Sequence, residues 1–222
     1  MRKLIVTTMV SLDGVLQAPG GPEEDPTGAF PFGGWSFHYW GEPPRSMQGL
    51  DGKDRELVLG RRTYEIFEAY WPYQAADNPV AQNLNAARKH VASRTLTGAL
   101  VWNNSALLRG DVVAAVAALK SQPGLDLQVI GSGNLVQTLH AASLIDEYNV
   151  WTFPVVLGRG KRLFEAGARA AALRLVSSEA SASGIVMSTY VPAGDIPKGS
   201  FVQGPPSAKE IERRAKVSRE GR

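Results

Sequence analysis

Two short glycine-bearing turns carry the residue types that take phosphate. In Gly60-Arg61-Arg62-Thr63 the glycine allows a tight turn, the threonine hydroxyl can cap a helix or bond a phosphate, and two guanidiniums offer bidentate contacts. Cations oppose the helix dipole at an N-terminus, so paired arginines there need a reason beyond helix formation. The plainer alternative is two solvated side chains at a helix start. The second turn, Gly131-Ser132-Gly133-Asn134-Leu135-Val136, has room for a pyrophosphate, yet it lacks the third glycine of a dinucleotide fingerprint and also reads as a close-packing turn.

Carboxylates come in three groups: Asp13 after an apolar run, Asp51 and Asp54 with Glu56 before a second one, and Asp146-Glu147 before a later one. Most carboxylates are surface residues or caps. One lining an aromatic pocket can instead bond an amino-substituted ring, with its pKa raised by burial. Asp13, Asp51 and Asp54 are the candidate proton donors. No G-x-S-x-G elbow, P-loop lysine or H-E-x-x-H motif is present. With no cysteine and only His38, His90 and His140, no metal site is expected.

These residues need elements to place them. Residues 2–10 read as a buried strand, and Gly- and Pro-rich sequence follows to about residue 50. That stretch holds Phe30, Phe32, Trp35, Phe37, Tyr39 and Trp40, either the walls of a planar-ligand site or a satellite core. Glu56–Leu59 is a strand ending at Gly60, with a helix over 61–67; a helix over 80–88 precedes strands at 90–93 and 100–102. A helix over 111–121, a strand at 127–130 and a helix containing Leu135, Val136 and Leu139 come next, then consecutive strands at 147–153, 172–178 and 185–191. Alternation followed by consecutive strands predicts an α/β fold, a mostly parallel sheet closed by an antiparallel strand. Open sheets of this kind bind ligands beyond the carboxyl ends of their strands, where both glycine turns fall.

The 222 residues carry a net charge of +3, but 207–222 alone holds six Lys/Arg against three Glu, leaving 18 basic and 18 acidic residues in 1–206. The body is neutral, so no specific nucleic-acid partner is expected. No apolar run approaches the roughly 20 residues of a membrane span, and the N-terminus lacks a cleavage site, so a cytoplasmic protein is expected. Residues 1–192 form the expected domain, and 193–222 a flexible Pro/Gly linker and basic tail.

Taken in order, Ser11-Leu12-Asp13-Gly14, Leu59-Gly60-Arg61-Arg62-Thr63-Tyr64-Glu65, Trp71-Pro72, Val129-Ile130-Gly131-Ser132-Gly133 and Leu144-Ile145-Asp146-Glu147-Tyr148 leading to Pro154–Gly160 resemble the dihydrofolate reductase-like superfamily. The branch is that of the reductase domain of the bifunctional riboflavin-biosynthesis deaminase-reductase. The resemblance implies a homodimer that binds NADPH across the strand ends and passes hydride to a pterin or ribosylaminopyrimidine. It also implies that Gly60, Arg61, Arg62 and Thr63 grip the adenosine phosphates, with arginine favouring the 2′-phosphate of NADPH over NADH. By the same resemblance Ser93, Arg94 and Thr95 sit beside the adenine ribose, Gly131, Ser132, Gly133, Asn134 and Leu135 at the pyrophosphate, and Asp13 and Gly14 in the loop over nicotinamide. The proline-rich region carries no acid that aligns with the pterin-binding carboxylate of dihydrofolate reductases. The cysteines of the deaminase half are missing altogether. The expected function is therefore NADPH-dependent reduction of a small nitrogen heterocycle, the alternative a nucleotide-binding protein that keeps the fold without the chemistry.

Overall fold

The computed structural model describes residues 1–41 and 54–220. Along the chain lie strands β1 (Leu4–Ser11), β2 (Glu56–Gly60), β3 (Lys89–Ala92), β4 (Ser105–Leu108), β5 (Leu127–Ile130), β6 (Glu147–Phe153), β7 (Leu173–Ala180) and β8 (Val186–Pro192). The helices are α1 (Arg61–Glu68), α2 (Pro79–Ala86), α3 (Val112–Ser121), α4 (Gly133–Ala141) and α5 (Ala208–Glu220). All eight strands join one sheet in the order β4-β3-β2-β5-β1-β6-β8-β7. From β4 to β6 every pairing is parallel, and β8 lies antiparallel between β6 and β7. The fold is the expected α/β one.

Strand alternation sends side chains to two faces, and each face has its own core. On one, Val6, Val10 and Val129 pack with Val116 of α3 and Val136 and Leu139 of α4. On the other, Leu57, Leu59, Val91 and Ile130 pack with Tyr64 of α1 and Leu84 of α2. The central strands are buried on both faces, so they read as continuous apolar runs. Two helices begin at the caps their sequences supply: Asn78 accepts from Val80 and Ala81 N–H with Pro79 at the first helical position, and Asp111 accepts from Ala114 N–H.

The strand expected at 100–102 does not form. Trp102 is buried instead, 6.2 Å from Tyr64, with its indole N–H donating to Asn85 Oδ1 at 2.7 Å. That run is consumed by core packing, and a turn with Asn104 at φ +57 delays the strand to Ser105. Residues 208–220 form helix α5 with no buried side chain, held by Glu210 pairing with Arg213 and Arg214 at 2.6 and 2.8 Å. No helix among the described residues is long and apolar enough to cross a membrane.

Candidate functional site

Parallel strands β3, β2 and β5 end side by side, and the segments leaving them converge on one edge. Gly60 is in register with Ala92, so Ser93 begins one residue beyond Gly60, while Gly131 leaves β5 with its N–H donating to Thr7 C=O. Two helices start at this edge, and neither has a side-chain cap or an acidic residue in its first turn. The first N–H groups of a helix have no intrahelical partner. Those of α1 and α4 therefore present donors and two positive dipole ends at the same place.

Ser132 joins the two helix starts. Its Oγ accepts the Gly60 N–H at 3.0 Å and donates to Thr63 Oγ1 at 2.8 Å. Serine adopts φ +58 here, directly after Gly131 at φ +58. A non-glycine residue in this region costs about 1–2 kcal/mol, which the two hydrogen bonds offset. Gly60 packs closely on this serine, with room for a Cβ only in van der Waals contact, 3.4 Å from Ser132 Oγ. Arg61 pairs at 3.4 Å with Glu65 on its own helix, and Arg62 reaches Asp25 at 3.4 Å. After β3, Ser93 Oγ accepts the N–H groups of Thr95 and Leu96, which folds Arg94 and Thr95 into an exposed turn at the same edge. The edge thus gathers Gly60, Arg61, Arg62, Thr63, Ser93, Arg94, Thr95, Gly131, Ser132, Gly133, Asn134 and Leu135, the last with its side chain buried under α4. Uncapped N–H groups, cations and small residues make a donor set suited to a phosphate chain.

Asp13 lies farther along the edge, beyond β1, and its carboxylate is fully engaged. It accepts from Ser11 Oγ at 2.7 Å, Leu157 N–H at 3.0 Å, Gly158 N–H at 2.9 Å and Arg162 Nη2 at 3.2 Å. The Ser11 and Leu157 hydrogen bonds lead in holding it well below the usual carboxylate range, against the opposing effect of burial. Such a group stays ionised, and its geometry is that of a clasp between the β1 loop and residues 157–162 rather than of a proton donor. Gly14, at φ +82, accepts the Leu163 N–H at 3.0 Å and continues this clasp. Asp54 sits in the turn before β2, so the whole length of the strand separates it from the edge where Gly60 and Gly131 lie. Asp51 lies outside the described residues.

Four of the six aromatic residues pack into cores, Trp35, Tyr39 and Trp40 against the sheet core shared with α1 and α2, and Phe30 in a small separate cluster. Trp35 and Tyr39 pack edge-on against Phe153 at 5.3 and 5.8 Å, Trp40 lies 5.5 Å from Trp151, and Phe30 is buried with Val15, Ala18 and Leu157. Phe32 and Phe37 remain exposed.

Sequence reasoning missed a polar strap over residues 17–29. Gln17, buried, donates from Nε2 to the carbonyls of Asp25 and Thr27 at 2.9 and 2.8 Å and accepts the Lys161 N–H at 3.0 Å. Asp25 pairs with Lys161 and Arg62, and Thr27 Oγ1 accepts from the same two cations at 2.8 and 3.2 Å. The partners lie up to 144 residues apart, and no local motif couples them.

Similar proteins agree with this architecture. The profile described as the RibD C-terminal domain matches residues 2–187. Two uncharacterized Bacillus subtilis (strain 168) proteins are each 24% identical: YyaP over 192 residues (85% of this chain, 94% of that protein) and YwjB over 174 (78% and 89%). Among solved structures, a Shewanella sp. PV-4 protein named for riboflavin biosynthesis superposes with TM-score 0.62 at 22% identity, covering 87% of this chain and 99% of that one. A pyrimidine reductase-like protein of Corynebacterium diphtheriae gives 0.60 at 12% identity (87% and 93%). Dihydrofolate reductase of Enterococcus faecalis, solved with NADP(H) and RAB-propyl, gives 0.51 at 14% identity (86% and 96%). The fold is dihydrofolate reductase-like, and the chain belongs to the RibD C-terminal domain family.

Proposed function

We propose that this protein is an NADPH-dependent reductase of a small planar nitrogen heterocycle, of the pterin or ribosylaminopyrimidine kind. One observation carries the cofactor half: α1 and α4 begin without side-chain caps at the same sheet edge, bridged by Ser132 and flanked by Arg61 and Arg62. The fold's likeness to a dihydrofolate reductase solved with NADP(H) supports the same choice. NADPH, when bound, supplies the hydride. The chain's own part is to hold the phosphates with backbone N–H groups and guanidiniums, and to fix the β1 loop through Asp13 so that the ring meets substrate in one orientation. Reducing a carbon–nitrogen double bond also consumes a proton, and Asp13, held ionised by its hydrogen bonds, is not poised to supply it. The substrate class rests on the family resemblance.

We also propose a homodimer. The face of β6, β8 and β7 away from the aromatic rings bears a largely apolar hollow of about 330 Å³, lined by Leu12, Val150, Phe164, Leu173 and Tyr190 among others. Every residue of β7 is exposed, Leu175 and Val176 included. Contiguous apolar surface of this kind fits a second copy.

The functional test is a paired titration with NADPH and NADH, followed by nicotinamide fluorescence and by thermal stability. Tighter binding of NADPH, weakened at least tenfold by Arg61→Met or Arg62→Met, supports the reading and opens a turnover screen with pterins and aminopyrimidines. Binding without turnover of any of them favours the non-catalytic alternative. No binding of either nucleotide sinks both.

A further inference from the structure

The strap over the strand ends carries its own anion to the phosphate grip. Asp25 is only 14% exposed at its side chain and is bracketed by two cations from opposite sides of the edge, Arg62 at the start of α1 and Lys161 after β6. The bracket is uneven. Lys161 Nζ makes a close contact with Oδ2, while Arg62 Nη1 stands 3.4 Å from Oδ1 and its side chain is 55% exposed. Burial works against the charge of Asp25, and the hydrogen bonds from Lys161 and Thr27 overcome it, so the carboxyl titrates below its ordinary value and is ionised near neutrality.

The strap's other fastenings all lie away from Arg62. Gln17 ties the backbone of Asp25 and Thr27 to Lys161 N–H, Arg159 Nη2 donates to Gly28 C=O at 3.0 Å, and Trp35 Nε1 donates to Gln17 C=O at 2.8 Å. At its root, Val15 bridges Arg162, and Leu16 N–H bonds Lys161 C=O at 2.9 Å. Among the described residues, losing Arg62 would cost the strap one long ion pair and the 3.2 Å contact with Thr27.

We propose that Asp25 is an internal competitor for the phosphate position: without ligand it occupies Arg62, and a phosphate arriving at the start of α1 takes Arg62 from it while Asp25 remains on Lys161. This rests on the reading of residues 60–63 as a phosphate grip. A phosphate carries more charge than a carboxylate and meets uncapped α1 N–H groups that Asp25 does not engage, so it wins Arg62 once bound. Asp25 thereby sets how much phosphate charge a ligand must bring, and discriminates against ligands that bring little.

The experiment compares the full-length wild type with Asp25→Asn, Arg62→Met and the double variant, by titration with NADPH and with inorganic pyrophosphate at low and molar salt. An exposed ion pair is weak, so Asp25→Asn is expected to tighten NADPH binding about two- to fivefold at low salt. That gain should shrink towards unity at molar salt and vanish in the Arg62→Met background. Thr27→Val, which removes the hydroxyl's contacts with Arg62, Lys161 and Asp25 but keeps the carboxylate, gives a smaller gain in the same direction and stands in for Asp25→Asn should that variant not fold. Unchanged or weaker binding in Asp25→Asn, or a gain that persists with Arg62→Met, overturns the proposal. If neither NADPH nor NADH binds the wild type, the reductase reading fails on its own and pyrophosphate decides the competitor. A gain in pyrophosphate affinity that depends on Arg62 upholds it, and no pyrophosphate binding by Asp25→Asn overturns it.

Discussion

Ser132, just before α4, and Thr63, in the first turn of α1, are 69 residues apart in sequence, yet their hydroxyls are joined by a 2.8 Å hydrogen bond. The same Ser132 oxygen receives the Gly60 N–H, so the starts of α1 and α4 are held at a fixed separation. Ser132→Ala removes both bonds while keeping the strained φ, and is expected to cost about 1–3 kcal/mol in urea denaturation. Ser132→Gly loses the same bonds but relieves the backbone, and is expected to cost less. Both should weaken NADPH binding by more than their stability loss explains at 20 °C, where each stays folded. Undiminished affinity in both would remove Ser132 from the site.

Acid stability should report the clasps. Asp13, Asp25 and Glu56 all titrate below their ordinary values, Asp13 chiefly through Ser11 and Leu157, Asp25 and Glu56 because hydrogen bonds from Lys161 and His90 outweigh burial. A carboxyl whose folded pKa is depressed adds stability above its unfolded value, and that stability is lost as pH falls towards the folded one. The melting temperature should therefore hold near neutrality and fall steadily below about pH 4. Asp13→Asn should melt lower than wild type at pH 7 and lose less between pH 5 and 3. Parallel curves would show that Asp13 is not a pinned carboxylate.

Lys89 is fully buried, its ammonium donating to the carbonyls of Asn85, Ala87 and Asn103 and lying 4.2 Å from the Trp102 ring centre. It closes the C-terminal end of α2, where a cation suits the dipole. Lys89→Met leaves those carbonyls without that donor and is expected to lower stability by about 1–3 kcal/mol at pH 7. Burial pushes the lysine down to about 8. Between about pH 8 and 10 the unfolded chain then holds more protons than the folded one, so wild-type stability rises with pH over that window. Urea midpoints should show this slope in the wild type and not in Lys89→Met; equal slopes would assign it elsewhere.

The centre of the sheet was legible because its strands are buried on both sides, so the run at 127–130 names β5 without help from context, while 147–153 names β6 by its β-branched and aromatic residues. Gly60 and Gly131 marked the strand ends for the same reason, since a chain turning sharply into a helix needs a small residue. Leu100–Trp102 misled because periodicity records burial without saying whether a strand or a loop supplies it. Asp54 was chosen by type, and only the direction of β2 reveals that it sits at the far edge. Asp25 and Lys161 were invisible because an ion pair across 136 residues leaves no spacing to read.

The exposed face of β6, β8 and β7 gives the last prediction. Leu173 and Leu175 of β7 flank Tyr190 and Pro192 of β8, beside the hollow that Phe164 and Leu12 border. An edge strand this apolar invites pairing or covering, and natural proteins rarely leave one bare. Light scattering should return the mass of a dimer. Leu175→Asp places a charge on a half-exposed position and should shift the mass to that of one chain, while changing the monomer's own folding stability by no more than about 0.5 kcal/mol. A monomeric wild type, or a Leu175→Asp variant that remains dimeric, would move the contact away from this face.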